Sequence, residues 1–471
     1  MKGYKITNFV IVVLVMAAVY QTGELWLAGT TSHNFFNGIM QSASKATVGG
    51  QNSSVILPVA RYAVGNGGSA FSVYYSDKFG NNDTDILKIA NDTLTEILYT
   101  NIQEGEKTFA DWKAMLQSRS LILQYDFALA PSDYPVHTKS KKALETLKAF
   151  DCVTLLPARH PGEESQVYFI NSDTNECVLY KSNKSKTAPL LYEQLVRQEG
   201  DMVYISTGQK TTSSILKRNL FLPQWADLPY FYAAVEEKPV FEQENAVNRM
   251  TLENSVEGFF KNFSADWSTR DESGTFEFSD SSVIVKYYPA ERVLEYYSYD
   301  TYGTEKDQAS LSQGYGISCN FMENDASLHT DVYLADVIRR SNETIYCFDY
   351  VTDNLPVYLS ANMQEKIGMK HAIEITVRGQ AVKKYRRLAV DYVLKENPSE
   401  KLHVQFIDAL DEANRRYQEQ VEERVVRDVE NIVLGYYADG SHKLSLKWFV
   451  TLYDHDFLID TAASTANEPK E

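Results

Sequence analysis

Residues 276–299 read FEFSDSSVIVKYYPAERVLEYYSY, and this stretch decides the fold class. Over Phe276 to Phe278, Val283 to Tyr288 and Val293 to Tyr299, apolar and aromatic side chains alternate with polar ones at a period of two, the signature of half-buried strands. Three such runs in succession predict an antiparallel meander, and the segment from about Ala246 to Phe260 predicts a helix before it. A related order follows: a helix near Val332 to Ile338, then strands at Ile345 to Val351, Pro356 to Leu359, Ala372 to Val377 and Val382 to Val393. A third helix is expected from roughly Leu402 to Val429, leading to an antiparallel pair at Ile432 to Tyr437 and Leu444 to Leu452. The polar residues after Ala462 read as a disordered tail.

Upstream, Val55 to Tyr75 reads as a hairpin, with Gly65-Asn66-Gly67-Gly68 supplying the positive φ angles of its turn. Ile86, Leu87, Ala90, Leu94, Ile97 and Leu98 share one helical face, and Phe109, Trp112 and Leu116 form a second stripe. A strand at Leu121 to Phe127, a short helix at Ala143 to Phe150 and a small sheet from Cys152 to Leu156, Val167 to Ile170 and Cys177 to Tyr180 come next. Residues 206–245, with Pro223, Pro229 and Pro239, are irregular, and a domain boundary is expected near 240.

The N-terminus has a different character. After Lys2 and Lys5 comes the apolar run Phe9 to Tyr20, within a looser apolar stretch from Ile6 to Leu27. A spanning helix needs about 20 mostly apolar residues, so this segment reaches across a bilayer only with its flanks. Tyr20 and Trp26 suit the outer interface, and the two lysines keep the short tail in the cytoplasm. A cleaved signal peptide is the competing reading, against which stand the bulky residues of Leu25-Trp26-Leu27. The expected class is therefore α+β: one N-terminal transmembrane helix, then a multi-domain extracytoplasmic body of antiparallel sheets with packed helices, its last two domains of similar helix-plus-meander design. The expected boundaries are a cytoplasmic tail at 1–6, an anchor at 7–27, an N-terminal α+β domain at 28–240, a middle domain at 241–330, a C-terminal domain at 331–461 and the tail at 462–471.

A formal charge of -17 argues against a nucleic-acid surface, because such surfaces depend on Lys and Arg replacing counterions. Four widely spaced cysteines, Cys152, Cys177, Cys319 and Cys347, contain no CxxC and so no zinc knuckle or thioredoxin-like motif. In an outer compartment Cys152 with Cys177 and Cys319 with Cys347 are conceivable pairs, against which stand free buried thiols. No metal and no cofactor is expected.

Other chemical signals are weak. Ser214 and Lys217 have an SxxK spacing but no SDN or KTG partner. Asp454, His455 and Asp456 alternate across a strand and do not converge on a metal, so they read as a solvated strand end. His371 and Glu374 lack the HExxH pattern, and Asp266, Asp271 and Glu272 have the residue types, with no demonstrable spacing, of a glycosidase pair. No catalytic residue is assigned. The basic stretch Lys383, Lys384, Tyr385, Arg386 and Arg387 has two readings, a solvated strand face and a contact patch for an acidic partner. For the membrane segment, Phe9, Val12, Val13, Met16, Ala17 and Tyr20 are the candidate helix-to-helix contacts, made by larger side chains because no GxxxG is present.

Several of these segments, taken together, resemble the YycH family of Gram-positive bacteria: the short cytoplasmic tail and single apolar helix, Gly274-Thr275-Phe276 with its strands, Asn354-Leu355-Pro356-Val357, Ala372-Ile373-Glu374-Ile375-Thr376-Val377, and Val382-Lys383-Lys384-Tyr385-Arg386-Arg387. That resemblance implies a non-catalytic, membrane-anchored regulator of the WalK sensor histidine kinase in a cell-wall-linked two-component system, acting with a YycI-like companion. The localisation it implies is the cell membrane, single-pass, with the N-terminus cytoplasmic and the bulk of the chain outside. Other functions weighed on the residues are an extracytoplasmic binding module for a wall ligand or peptide and a membrane-tethered wall hydrolase.

Overall fold

The computed structural model describes residues 59–68, 70–75, 84–100, 105–134, 138–198, 203–207, 220–225, 228–243, 246–260, 267–270, 274–299, 309–421, 429–453 and 455–462. The expected anchor, and with it Phe9, Val12, Val13, Met16, Ala17 and Tyr20, lies outside the described residues. So do Ser214, Lys217, Asp266, Asp271, Glu272 and Asp454. No helix among the described residues is long and apolar enough to cross a membrane.

The first part of the chain builds one sheet. Its strands are β1 (Arg61–Asn66), β2 (Phe71–Tyr75), β3 (Glu106–Phe109), β4 (Arg119–Leu129), β5 (Phe150–Leu156), β6 (Ser165–Ile170), β7 (Glu176–Ser182), β8 (Tyr204–Ser206) and β9 (Phe221–Pro223). They lie in the order β3-β7-β6-β5-β4-β1-β2-β8-β9, with antiparallel neighbours throughout. The hairpin expected at Val55 to Tyr75 is β1 and β2. Its turn works as the residues suggest: Gly67 has φ +82°, and the Asn66 side chain accepts the Gly68 N–H at 2.9 Å.

Helix α1 (Thr84–Thr95) carries the expected stripe, with Ile86, Ala90 and Leu94 buried. The second stripe needs correcting: Trp112 and Leu116 are buried on the short α2 (Trp112–Leu116), but Phe109 ends β3 and is 70% exposed. The helix expected at Ala143 to Phe150 is placed earlier, as α3 (Thr138–Leu144), and Phe150 already belongs to β5. The turn that leads into helix α4 (Ala188–Arg197) is held by Glu96, which follows α1. Glu96 accepts hydrogen bonds from the Ser185 and Thr187 hydroxyls and from the backbone N–H of Lys186 and Thr187. Burial raises the Glu96 carboxyl, but those four donors outweigh it and hold the group below its ordinary value.

The second part is a larger sheet with two small ribbons beside it. In chain order its elements are β10 (Tyr230–Pro239), β11 (Glu242–Gln243), β12 (Ala246–Val247), α5 (Arg249–Val256), β13 (Trp267–Arg270), β14 (Phe276–Ser279), β15 (Val283–Tyr288), β16 (Val293–Ser298) and α6 (Leu311–Met322). Then come β17 (Val332–Arg339), β18 (Thr344–Thr352), β19 (Leu355–Leu359), α7 (Ala361–Ile367), β20 (Ile373–Arg378), β21 (Ala381–Leu388), β22 (Val390–Leu402), α8 (Phe406–Val421), β23 (Val429–Ala438), β24 (Ser445–Leu452) and β25 (His455–Asp460). The sheet runs β13-β14-β15-β16-β21-β20-β18-β19-β23-β24-β25, with β17 beside β18. The expected meander is present as β14, β15 and β16. Its last strand pairs with β21, Tyr296 opposite Tyr385, so strands from both sides of residue 330 share one sheet.

Three further expectations differ from what is seen. The helix near Val332 to Ile338 is strand β17, bulged between Leu334 and Asp336. The helix expected from Leu402 is shorter, because Leu402 still belongs to β22. Within the irregular segment 206–245, residues 230–239 form β10, which pairs along β22 from Tyr230 opposite Leu402 to Pro239 opposite Val390.

All the pairings within the larger sheet are antiparallel except one, β19 with β23, where Val357 lies opposite Tyr436. Gly435 makes that approach possible, since a Cβ there would stand 2.9 Å from the Pro356 carbonyl oxygen. Helix α6 shows a similar need. A Cβ on Gly314 would overlap the Tyr346 hydroxyl, which donates to the Leu311 carbonyl at 2.9 Å.

Cys152, Cys177 and Cys347 are buried thiols in no disulfide. Cys152 lies opposite Ile170, and Ile170 lies opposite Cys177, so the two thiols are separated by an intervening strand. Two strand spacings, roughly 9–10 Å, exceed what a disulfide spans.

Candidate functional site

Ionisable side chains gather in a cleft of about 430 Å³ between the two sheets. One wall comes from the first sheet: Arg61 on β1, Gln124 to Asp126 on β4 and Asp151 on β5. The other comes from Tyr333 on β17, Asp349 on β18, Tyr358 on β19, His371 before β20 and Glu430 on β23.

A specific tie closes the joint beside it. Asp353 and Asn354 both have positive φ, 52° and 54°, as a two-residue hairpin turn between β18 and β19 demands. The Asn354 side chain then behaves like a peptide unit at the edge of β2. Its Nδ2 donates to the Val73 carbonyl at 2.6 Å, and its Oδ1 accepts the Tyr75 N–H at 3.1 Å. Around it the Tyr75 and Tyr333 rings meet edge to face at 5.1 Å, and Arg339 donates to Asp133 at 2.9 Å. Asn354→Ala should therefore cost about 1–3 kcal/mol, since it leaves a backbone donor and acceptor of β2 without their partners. Asn354→Gly, which relieves the positive φ and still lacks the amide, separates the two contributions in thermal unfolding.

Within the cleft, Arg61 and Gln124 are cross-strand neighbours, and Arg61 Nε donates to Gln124 Oε1 at 3.0 Å. Its Nη2 is 3.7 Å from Asp126, and its Nη1 is 3.5 Å from the Tyr75 hydroxyl. Burial opposes the charge on Arg61, but Asp126 and Tyr75 hold its guanidinium above its ordinary value. Across the cleft, Asp349 accepts the Ala372 N–H at 2.9 Å through Oδ1 and faces His371 Nδ1 at 2.8 Å through Oδ2. Burial lowers the His371 value, and the hydrogen bond and charge of Asp349 more than reverse this, so the imidazole is held above its ordinary range. The His371 Nε2 and the Tyr125 hydroxyl are buried with no hydrogen-bond partner among the described residues. Burial pushes the Tyr125, Tyr333 and Tyr358 phenols well above the ordinary tyrosine value, so all three stay neutral.

The basic stretch is laid out differently from a contact patch. It forms β21, which lies inside the sheet between β16 and β20. Tyr385 and Arg387 point inward and are fully buried, which corrects their place in an exposed patch. Arg387 Nε is 3.0 Å from Asp325 Oδ2, the Tyr385 hydroxyl donates to the same oxygen at 2.8 Å, and Arg387 Nη1 donates to the Ser327 carbonyl at 3.2 Å. On the opposite face Lys384 and Arg386 both reach Glu295, at 3.6 and 3.1 Å, and Lys383 approaches Glu343 at 4.0 Å. Arg386 also donates to the Ile367 and Gly368 carbonyls at the end of α7, where a cation offsets the helix dipole. These charges are engaged within the chain.

His455 and Asp456 are exposed at the start of β25, as a solvated strand end requires, and Asp456 also borders the cleft. Glu374 lies on β20, and His371 just before that strand faces Asp349. No group of three His, Cys, Asp or Glu that could hold a metal is found among the described residues. The cleft itself escaped notice in the sequence. Its best signal was Asp349, an ionisable residue inside the otherwise apolar run Ile345 to Val351.

The chain matches no protein-family model, and no curated protein matches it in sequence. Among solved structures it is similar to the crystal structure of YycH from Bacillus subtilis, with 12% identity and a TM-score of 0.47, over 87% of this chain and 97% of that one. It is also similar to the crystal structure of an uncharacterized protein from Eubacterium rectale ATCC 33656, with 10% identity and a TM-score of 0.30, over 54% of this chain and 89% of that one.

Proposed function

We propose that the chain is a non-catalytic, membrane-anchored regulator that modulates a WalK-like, cell-wall-linked sensor histidine kinase, together with a YycI-like companion. One observation supports this reading above others. Asn354-Leu355-Pro356-Val357, a segment that carries the sequence resemblance, builds architecture: Asn354 ties the two sheets, and Val357 enters the parallel pairing with β23. A second such segment, residues 382–387, supplies the buried Arg387–Asp325 pair and the Arg386 contacts to α7. Residues with such roles preserve the shape of a body that works by contact.

The anchor reading rests on the apolar run Phe9 to Tyr20 after Lys2 and Lys5, with the body outside. Contacts within the bilayer and between outer domains are the routes a single helix allows. Photo-reactive residues placed along Phe9 to Tyr20 in the full chain, followed by crosslinking in membranes, provide the test. The expected result is capture of a histidine kinase or a second single-pass protein at positions that recur with helical spacing. Release of the mature chain from the membrane would count against the anchor, and cleavage of peptidoglycan by the purified chain would overturn the regulator.

A further inference from the structure

We propose that Asn66 is a self-modifying site: its side-chain amide is lost through attack by the Gly67 nitrogen, leaving aspartate or isoaspartate in the turn between β1 and β2. This chemistry requires nothing of the proposed regulatory role. In Asn66-Gly67 the attacking nitrogen follows the Asn66 carbonyl directly, so closure makes a five-membered ring, and a residue without a Cβ leaves that nitrogen open to approach. Asn66, Gly67 and Gly68 are all exposed, so water and hydroxide reach the turn. Both partners of the closure are activated by hydrogen bonds. The Gly68 N–H donates to Asn66 Oδ1 at 2.9 Å, which polarises the carbon under attack and stabilises the oxyanion charge that develops there. Arg119 Nη2 donates to the Asn66 main-chain oxygen at 3.1 Å, and that oxygen belongs to the same peptide unit as the Gly67 nitrogen. When the nitrogen loses its proton, negative charge spreads onto the oxygen, where the guanidinium stabilises it. Arg119 is itself held in place: its Nη1 donates to the Leu195 carbonyl at 3.1 Å, and its guanidinium lies 5.7 Å from the centre of the Tyr192 ring.

The atoms balance with water alone. Hydroxide takes the Gly67 proton, the nitrogen attacks Asn66 Cγ, the Cγ–Nδ2 bond breaks, and ammonia leaves with a proton from water. A succinimide remains. Water opens it at one carbonyl or the other to give aspartate or isoaspartate, so that one amide and one water become one carboxylate and one ammonium ion. The new carboxylate sits on the residue that Arg119 already contacts, and that cation favours it. Isoaspartate also adds one main-chain carbon to the turn that leads into β2, the strand whose Val73 and Tyr75 backbone groups Asn354 holds. The site thus records the age of a molecule irreversibly, at a turn tied to the joint between the sheets.

Peptide mapping of the full chain in detergent, held at pH 8.5 for several weeks, tests the proposal. Trypsin releases residues 62–78, in which Asn66 is the only asparagine. A gain of one mass unit on that peptide is expected, with part of the product labelled by an isoaspartyl methyltransferase, since the cyclic route makes isoaspartate and direct hydrolysis of the amide does not. Asn37-Gly38, the other Asn-Gly of the sequence, serves as an internal reference. Arg119→Gln should slow the loss at Asn66 relative to Asn37 about fivefold or more, so that the same rate needs a higher pH, and Arg119→Lys, which keeps a cation, should restore most of it. Unchanged thermal midpoints show that both variants are folded, and the isoaspartate in the unaltered chain is read without either. An Asn66 that stays intact would overturn the proposal, as would a product free of isoaspartate or a rate at Asn66 indifferent to Arg119→Gln.

Discussion

Asp325→Ala should lower the unfolding free energy by about 3–5 kcal/mol, the range found when one partner of a buried ion pair is removed. The cause lies in what remains. Arg387 has no exposed side-chain surface, and Asp325 is the carboxylate that balances it at 3.0 Å. Without that carboxylate, the guanidinium keeps its charge in a space closed to water, and the buried Tyr385 hydroxyl loses its acceptor. The pair as a whole is a different matter. Replacing both residues, as in Asp325→Leu with Arg387→Met, should recover much of the loss, because desolvation offsets most of the attraction within the pair. Urea unfolding followed by tryptophan fluorescence reads both effects. A loss below about 1 kcal/mol for the single variant would mean that water reaches Arg387.

Trp448→Ala should cost a similar amount, about 3–5 kcal/mol, through a cavity at the centre of β24. Trp448 is fully buried, its ring meets that of Trp225 edge to face at 6.4 Å, and its Nε1 donates to the Val404 carbonyl at 2.9 Å. Removal therefore empties the space that β24 shares with α8 and Trp225 and leaves a carbonyl unpaired. Trp448→Phe fills part of that space and lacks only the donor, so its cost should be clearly smaller. Equal costs for the two variants would show that the hydrogen bond, not the ring volume, dominates.

Strands that bury one face were readable from the sequence. Residues 283–288 alternate strictly between buried and half-buried positions, and their composition shows it. Strand β17 was not readable in that way. Its first four residues, Val332 to Ala335, are all buried, since Tyr333 and Ala335 pack with Ala60, Tyr75 and Val351 while Val332 and Leu334 enter the main core. Covering both faces erases the period of two, and a short apolar run then passes for a helix. Helix α6 was hidden for the opposite reason. Gly314 and Gly316 lower its intrinsic propensity, and it is held by a capping box of Ser310 and Gln313 and by packing on Tyr346. The cleft depends on residues separated widely in the chain, such as Arg61, Asp349 and Glu430, and no local pattern announces such a meeting. Residues 383–387 were legible as a strand, but which of them would turn inward depended on Asp325, far away in sequence.

The parallel pairing of β19 with β23 bears on how a growing chain matures. On one side β19 has its hairpin partner β18 immediately, but on the other it must wait until α7, β20, β21, β22 and α8 have all been made. During that wait it carries an open row of backbone donors and acceptors beside the apolar side chains of Val357 and Leu359, a template onto which a second nascent chain can add. Chains that stall or are cut before residue 429 stay in this state, so they should be drawn into aggregates or handed to proteases. Completion of the C-terminal strands thus acts as a checkpoint that separates finished molecules from fragments.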